Sequence, residues 1–93
     1  MKRVLLVFSP QELDTRHELE ALLAREEDLR LYFARDEKTA LQALADDKPD
    51  IVVVGRSLAE EYGKTVKPYG GAQLCAAIRG RSRVPLVELR PKP

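Results

Sequence analysis

Two unbroken apolar runs constrain this chain more than anything else in it. Val4-Leu5-Leu6-Val7-Phe8 lies near the start, and Ile51-Val52-Val53-Val54 lies past the middle. A strand with one wet face alternates apolar and polar residues. A strand that is apolar at every position is buried on both faces, as in parallel sheets covered by helices. Both runs are short, and the second is β-branched throughout, which favours strand over buried helix. Each ends in punctuation: Ser9-Pro10 after the first, Gly55 after the second.

The segments between them carry helix signals. Ser9, Pro10 and Glu12 have the spacing of an N-cap, a first helical position and the closing acid of a capping box. A helix is predicted from there to about Arg25, with Leu19, Leu22 and Leu23 inward. From Leu29 to Ala34, Leu29, Leu31 and Phe33 alternate with Arg30 and Tyr32, as in a less buried edge strand. Asp36 caps a predicted helix from Glu37 to Asp46, with Ala40, Leu41 and Leu44 as its stripe. Arg56 to Gly70 is a long, charged loop, with a short helical turn expected near Leu58 to Tyr62. Ala72 to Arg79 reads as a third helix that turns Leu74, Cys75 and Ile78 inward and stops at Gly80. Val84 to Leu89 is a fourth strand, and Pro85 near its start favours an edge. The order β-α-β-α-β-α-β predicts an α/β chain with an open parallel sheet, right-handed crossovers and helices on both faces.

Composition narrows the function classes. A length of 93 residues suits one domain over 1–93 with a small core. With 44% apolar and 33% charged residues the chain is globular rather than disordered. Its net charge of +1 gives no global pull toward nucleic acid or an anionic membrane, and no aromatic platform accompanies the basic residues. A single cysteine, Cys75, excludes an intrachain disulfide and a Cys-based zinc cluster. The apolar runs fall far short of the roughly 20 residues of a membrane span, and Val4 to Phe8 is too short for a signal-peptide core. The expectation is a cytoplasmic chain without cofactor, metal, membrane or nucleic-acid partner. Its frequent Ala, Leu, Arg and Glu fit a bacterial source.

Pro49-Asp50-Ile51-Val52-Val53-Val54-Gly55 resembles the third strand of a response-regulator receiver domain. Gly71-Ala72-Gln73-Leu74-Cys75-Ala76-Ala77-Ile78-Arg79 is similar to that family's third helix, which starts on glycine. Arg83-Val84-Pro85-Leu86-Val87 is similar to its fourth strand, and Val4-Leu5-Leu6-Val7 to its first. The resemblance covers nearly the whole chain. It implies a flavodoxin-like, three-layer fold with four strands in the order 2-1-3-4 and three helices. The family's last helix-strand-helix unit would be lacking.

The departures are chemical. In the family the third strand closes on the phosphoacceptor aspartate, and here that position holds Gly55. Phe8-Ser9-Pro10 stands where acidic residues would hold Mg²⁺, a cation that wants carboxylate oxygens. Neither Leu89 nor Arg90 supplies the family's hydroxyl at the end of the fourth strand. The family's later lysine has no counterpart, since Lys92-Pro93 follows the fourth strand too closely. No nucleophile-base pair or metal set can be assembled, so an enzyme is not expected.

The expected function is a phosphorylation-independent, receiver-like protein–protein interaction and signalling module, homodimeric, with a further protein partner unidentified. Without the later elements the fourth strand is an edge, and one sheet face loses cover over strands three and four. Val84, Leu86, Val87 and Leu89 are therefore a candidate dimer edge; the competing account folds the long loop over that face. Arg56, Ser57, Lys64, Lys67 and Tyr69 are candidate interaction residues of the loop. The alternative is a small-molecule or anion-binding regulatory domain, with its site at the carboxyl edge near Ser9, Gly55 and Ser57. Arg56, Lys64, Lys67, Arg90 and Lys92 should gather at that edge, and Lys2, Arg3, Arg81 and Arg83 at the other. The plainer account is a solvated rim interleaved with Glu60 and Glu61. Gly63-Lys64-Thr65 has the ending of a P-loop, but Leu58 stands where its first glycine should be and Pro68 opposes the following helix. His17 reads as a surface residue and Cys75 as a buried, inert thiol.

Overall fold

The structure is a computed structural model and describes residues 1–89. Arg90 and Lys92, placed by the sequence at the carboxyl edge, lie outside the described residues. Four strands form one parallel sheet in the order β2-β1-β3-β4, as expected: β1 (Lys2–Val7), β2 (Leu29–Ala34), β3 (Ile51–Val54) and β4 (Leu86–Glu88). The helices are α1 (Leu13–Leu23), α2 (Glu37–Asp47) and α3 (Gly70–Arg79), with a 3₁₀ turn at Pro10–Glu12 before α1. The fold is α/β and three-layered, with α2 and α3 on one face of the sheet and α1 on the other.

The apolar runs do what an all-apolar strand must. Leu5 and Val7 of β1 join Val52 and Val54 of β3 in a core with Ala40 of α2 and Leu74, Cys75 and Ile78 of α3. Val4, Leu6, Phe8 and Val53 point the other way, against Leu19 and Leu23 of α1. The two faces are unequally sealed. α3 buries Gly70, Gly71, Leu74, Cys75 and Ile78, whereas no residue of α1 is buried. Leu22, expected inward, is 60% exposed, because Leu19 and Leu23 already fill the narrow stripe that touches the sheet. Arg16 stacks over Phe33 of β2 and pairs with Glu20. Leu22 therefore lies on the opposite flank of α1, toward β3 and β4.

Local boundaries follow the backbone's needs. Asp36, 2% exposed, caps α2 as its sequence position predicts, accepting from Thr39 N and Thr39 Oγ1, each at 2.7 Å. Lys48 takes the left-handed conformation that ends α2 before Pro49. α3 begins two residues earlier than expected, and β4 covers only the middle of Val84–Leu89.

The 56–70 segment departs most from expectation. No helical turn forms near Leu58 to Tyr62. Leu58 and Lys67 instead form an antiparallel bridge with both N–H groups donating to carbonyls at 3.1 Å. Leu58 is 1% exposed and packs in the α2–α3 core; Ala59 is also buried. The carbonyls of Ala59 and Glu60 accept from Glu37 N and Lys38 N, satisfying first-turn donors of α2. The loop is thus a short hairpin pinned at its base, on the α2–α3 side. It does not fold back over the α1 face, where Val87 stays 40% exposed.

Candidate functional site

The carboxyl ends of β1 and β3 meet at Phe8-Ser9 and Gly55-Arg56-Ser57. Sequence spacing cast Glu12 as the second half of a capping box, but the structure shows no side-chain cap at Ser9. Glu12 reaches across to the start of the hairpin loop. Its Oε1 accepts from Ser57 N at 2.7 Å and from Ser57 Oγ at 2.8 Å, and its Oε2 accepts from Arg56 N at 3.1 Å. Ser9 Oγ, fully buried, lies 3.2 Å from Ser57 Oγ. A carboxylate offers no proton, so Ser57 donates to Glu12 and Ser9 donates to Ser57. Charge-assisted bonds of this kind are shorter and stronger than neutral ones.

Gly55 acquires a different meaning from this arrangement. A Cβ there would sit 2.5 Å from Glu12 Oε2 and 2.8 Å from Phe8 Cδ1. Any side chain at position 55 would take the space that Glu12 occupies. On the opposite side, Gly71 at the start of α3 packs directly on the Gly55 carbonyl, and Gly71 N donates to Arg56 O at 3.1 Å. The strand end is clamped from both sides: by a carboxylate from the turn before α1 and by the glycine start of α3.

An open cleft of about 820 Å³ adjoins this clamp. Gln11, Glu12, Arg56 and Ser57 form one wall, and Pro68, Tyr69, Ala72 and Leu89 bring apolar surface to the rest. Tyr69 is 77% exposed. Glu88 also reaches the cleft, but it lies 3.8 Å from Arg79 and is largely covered. Arg56 makes no ion pair among the described residues.

The predicted loop residues therefore divide. Arg56, Ser57 and Tyr69 share the cleft. Lys64 and Lys67 line a separate hollow at the hairpin with Glu60, Gly63 and Thr65. Lys67 bonds Glu60 at 2.6 Å, and Glu61 pairs with Lys38 at 3.0 Å and Lys64 at 4.0 Å. The hydrogen bond from Lys67, and then its charge, hold the Glu60 carboxyl below its usual range. These lysines are neutralised within their own loop, as the interleaved-rim account expects, and exposed pairs of this kind add little stability. Gly63-Lys64-Thr65 lies in the hairpin, with Gly63 at φ +90°, and opens no helix.

The candidate edge residues divide too. Val84 and Leu86 pack against the α2–α3 core, whereas Val87 and Leu89 belong to the α1 face. Cys75 is buried and outside any disulfide, and His17 is exposed. Among the described residues no group of three or more His, Cys, Asp or Glu could hold a metal ion, and no helix is long and apolar enough to cross a membrane. No protein-family model matches this chain, and no curated protein matches it either.

Proposed function

We propose that the chain is a receiver-like protein–protein interaction and signalling module that works without phosphorylation, as a homodimer. The observation that carries this is the seating of Glu12 beside Gly55. The first two amides of the hairpin loop are held by a carboxylate of the chain itself, so the loop has its shape with no phosphoryl group present. Pinning by Leu58 and Ala59 adds to this, and Tyr62 and Tyr69 are left on the surface. Presenting a preformed surface suits binding, because less ordering remains when a partner arrives.

Self-association is supported by the α1 face. Leu22, on the flank of α1 toward β3, and Val87, on the edge strand, are large apolar residues left 60% and 40% exposed. A sheet edge beside exposed apolar side chains is a template for pairing with a second copy. Light scattering after size exclusion at micromolar concentration checks this. A dimer is expected, and Val87→Glu should make it monomeric while shifting the stability of the folded monomer by no more than about 0.5 kcal/mol. A wild-type monomer would remove the homodimer from the proposal.

A further inference from the structure

The clamp at Glu12 has the form of an anion site with its occupant already attached. Two consecutive backbone N–H groups and one hydroxyl converge on a single carboxylate, at 3.1, 2.7 and 2.8 Å. Consecutive amides in a turn form a concavity of fixed partial charge that binds anions. The occupant, Glu12, rides on a lightly anchored part of the chain. The 3₁₀ turn that carries it has no buried residue, and neither does α1 behind it. Elements with little buried surface open at low free energy.

Glu12, Arg56 and Ser57 all face the 820 Å³ cleft, so the donors are reachable from solvent once Glu12 swings away. The cleft is chemically lopsided. Its two carboxylates are engaged, Glu12 by the three donors and Glu88 beside Arg79, whereas Arg56 has no ion pair among the described residues. The remaining wall is Pro68, Tyr69, Ala72 and Leu89. A ligand that suits it carries an oxyanion at one end and an apolar body at the other.

We propose that Arg56 N–H, Ser57 N–H and Ser57 Oγ form an oxyanion site in which Glu12 is a tethered, displaceable occupant. A small molecule bearing a carboxylate or phosphoryl group enters through the cleft and takes over these donors. Arg56 pairs with its charge, and the apolar wall holds its body. Binding is noncovalent and releases Glu12 to solvent.

The test compares thermal melting of wild type and Glu12→Ala in inorganic phosphate, in benzoate and in chloride, at matched ionic strength. A ligand that binds only the native state raises the melting temperature. Glu12→Ala should be stabilised by phosphate, by benzoate or by both, beyond any shift in Glu12→Ala/Ser57→Ala, which controls for general salt effects. Wild type should need at least about tenfold more anion, because its own carboxylate competes at the high local concentration of a tethered group. A response to benzoate alone assigns a carboxylate with an apolar body, and a response to phosphate alone assigns a phosphoryl group. A folded Glu12→Ala protein that melts identically in all three salts overturns the site. If Glu12→Ala does not fold, wild-type amide resonances decide: selective, saturable shifts of Arg56 and Ser57 with either anion support the site, and their absence overturns it.

Discussion

Gly71→Ala is expected to destabilise the fold by at least about 3 kcal/mol, at the upper end of what overpacking does. A methyl group at position 71 would overlap the carbonyl oxygen of Gly55 and press on that of Arg56. These are backbone atoms of a strand end that is itself fixed by Gly55 N donating to Val7 O at 2.8 Å. Nothing flexible can yield, so α3 must move off β3. α3 contributes Leu74, Cys75 and Ile78 to the larger core, and its displacement would open that core as well. A chain of this length has a total stability of roughly 5–14 kcal/mol, so the loss is a large fraction of it. Urea unfolding followed by circular dichroism measures it directly. Gly63→Ala provides the contrast. It meets no neighbour and loses only the preference of glycine for its positive φ, about 1 kcal/mol.

Leu58→Ala should cost about 3 kcal/mol, as for a buried leucine elsewhere, although it lies in a loop. Its side chain is 1% exposed and belongs to the same buried core as Val7, Val54 and Leu74. Its removal leaves a cavity under the base of the hairpin and loosens the Leu58–Lys67 bridge. Leu22→Ala, in the middle of a helix but 60% exposed, should change stability by less than about 0.5 kcal/mol. The ranking is the opposite of what loop and helix membership would suggest, and the same unfolding experiment checks it.

That reversal shows where the sequence was legible. The central strands declared themselves because apolar residues at every position have one common cause, burial on two faces. The parallel arrangement followed from the β-α alternation and the Asp36 cap from an equally local signal, whereas the strand order came only from the resemblance to the receiver family. Leu58 had no such signal. A single leucine among charged neighbours carries no period, and its burial depends on a bridge to Lys67 that local pattern cannot reveal. The start of α3 carries no sequence signal, because Gly70 and Gly71 are poor helix formers. They are there for close backbone approach to Leu58 and Gly55, which only the packed structure makes visible.

The candidate site shows the same division more sharply. Gly55 was conspicuous as a missing side chain, but its reason was not. Ser9 and Glu12 match a capping box in sequence, yet the carboxylate finds better donors 44 and 45 residues away. Two amides and a hydroxyl on one charge outcompete a single cap amide. Of the loop residues singled out, Arg56, Ser57 and Tyr69 share the cleft, while Lys64 and Lys67 answer their neighbouring glutamates.

Glu12 holds the start of the loop through its own carboxylate, with no phosphoryl group needed. Amide hydrogen exchange at Arg56 and Ser57 tests this most directly, in wild type and Glu12→Ala side by side, in buffer free of phosphate and Mg²⁺. Both amides should be protected in wild type and should lose most of that protection in Glu12→Ala, while Val52 to Val54 in β3 exchange as before. Fast exchange of Arg56 and Ser57 in wild type, or protection that survives the loss of Glu12, would contradict the account.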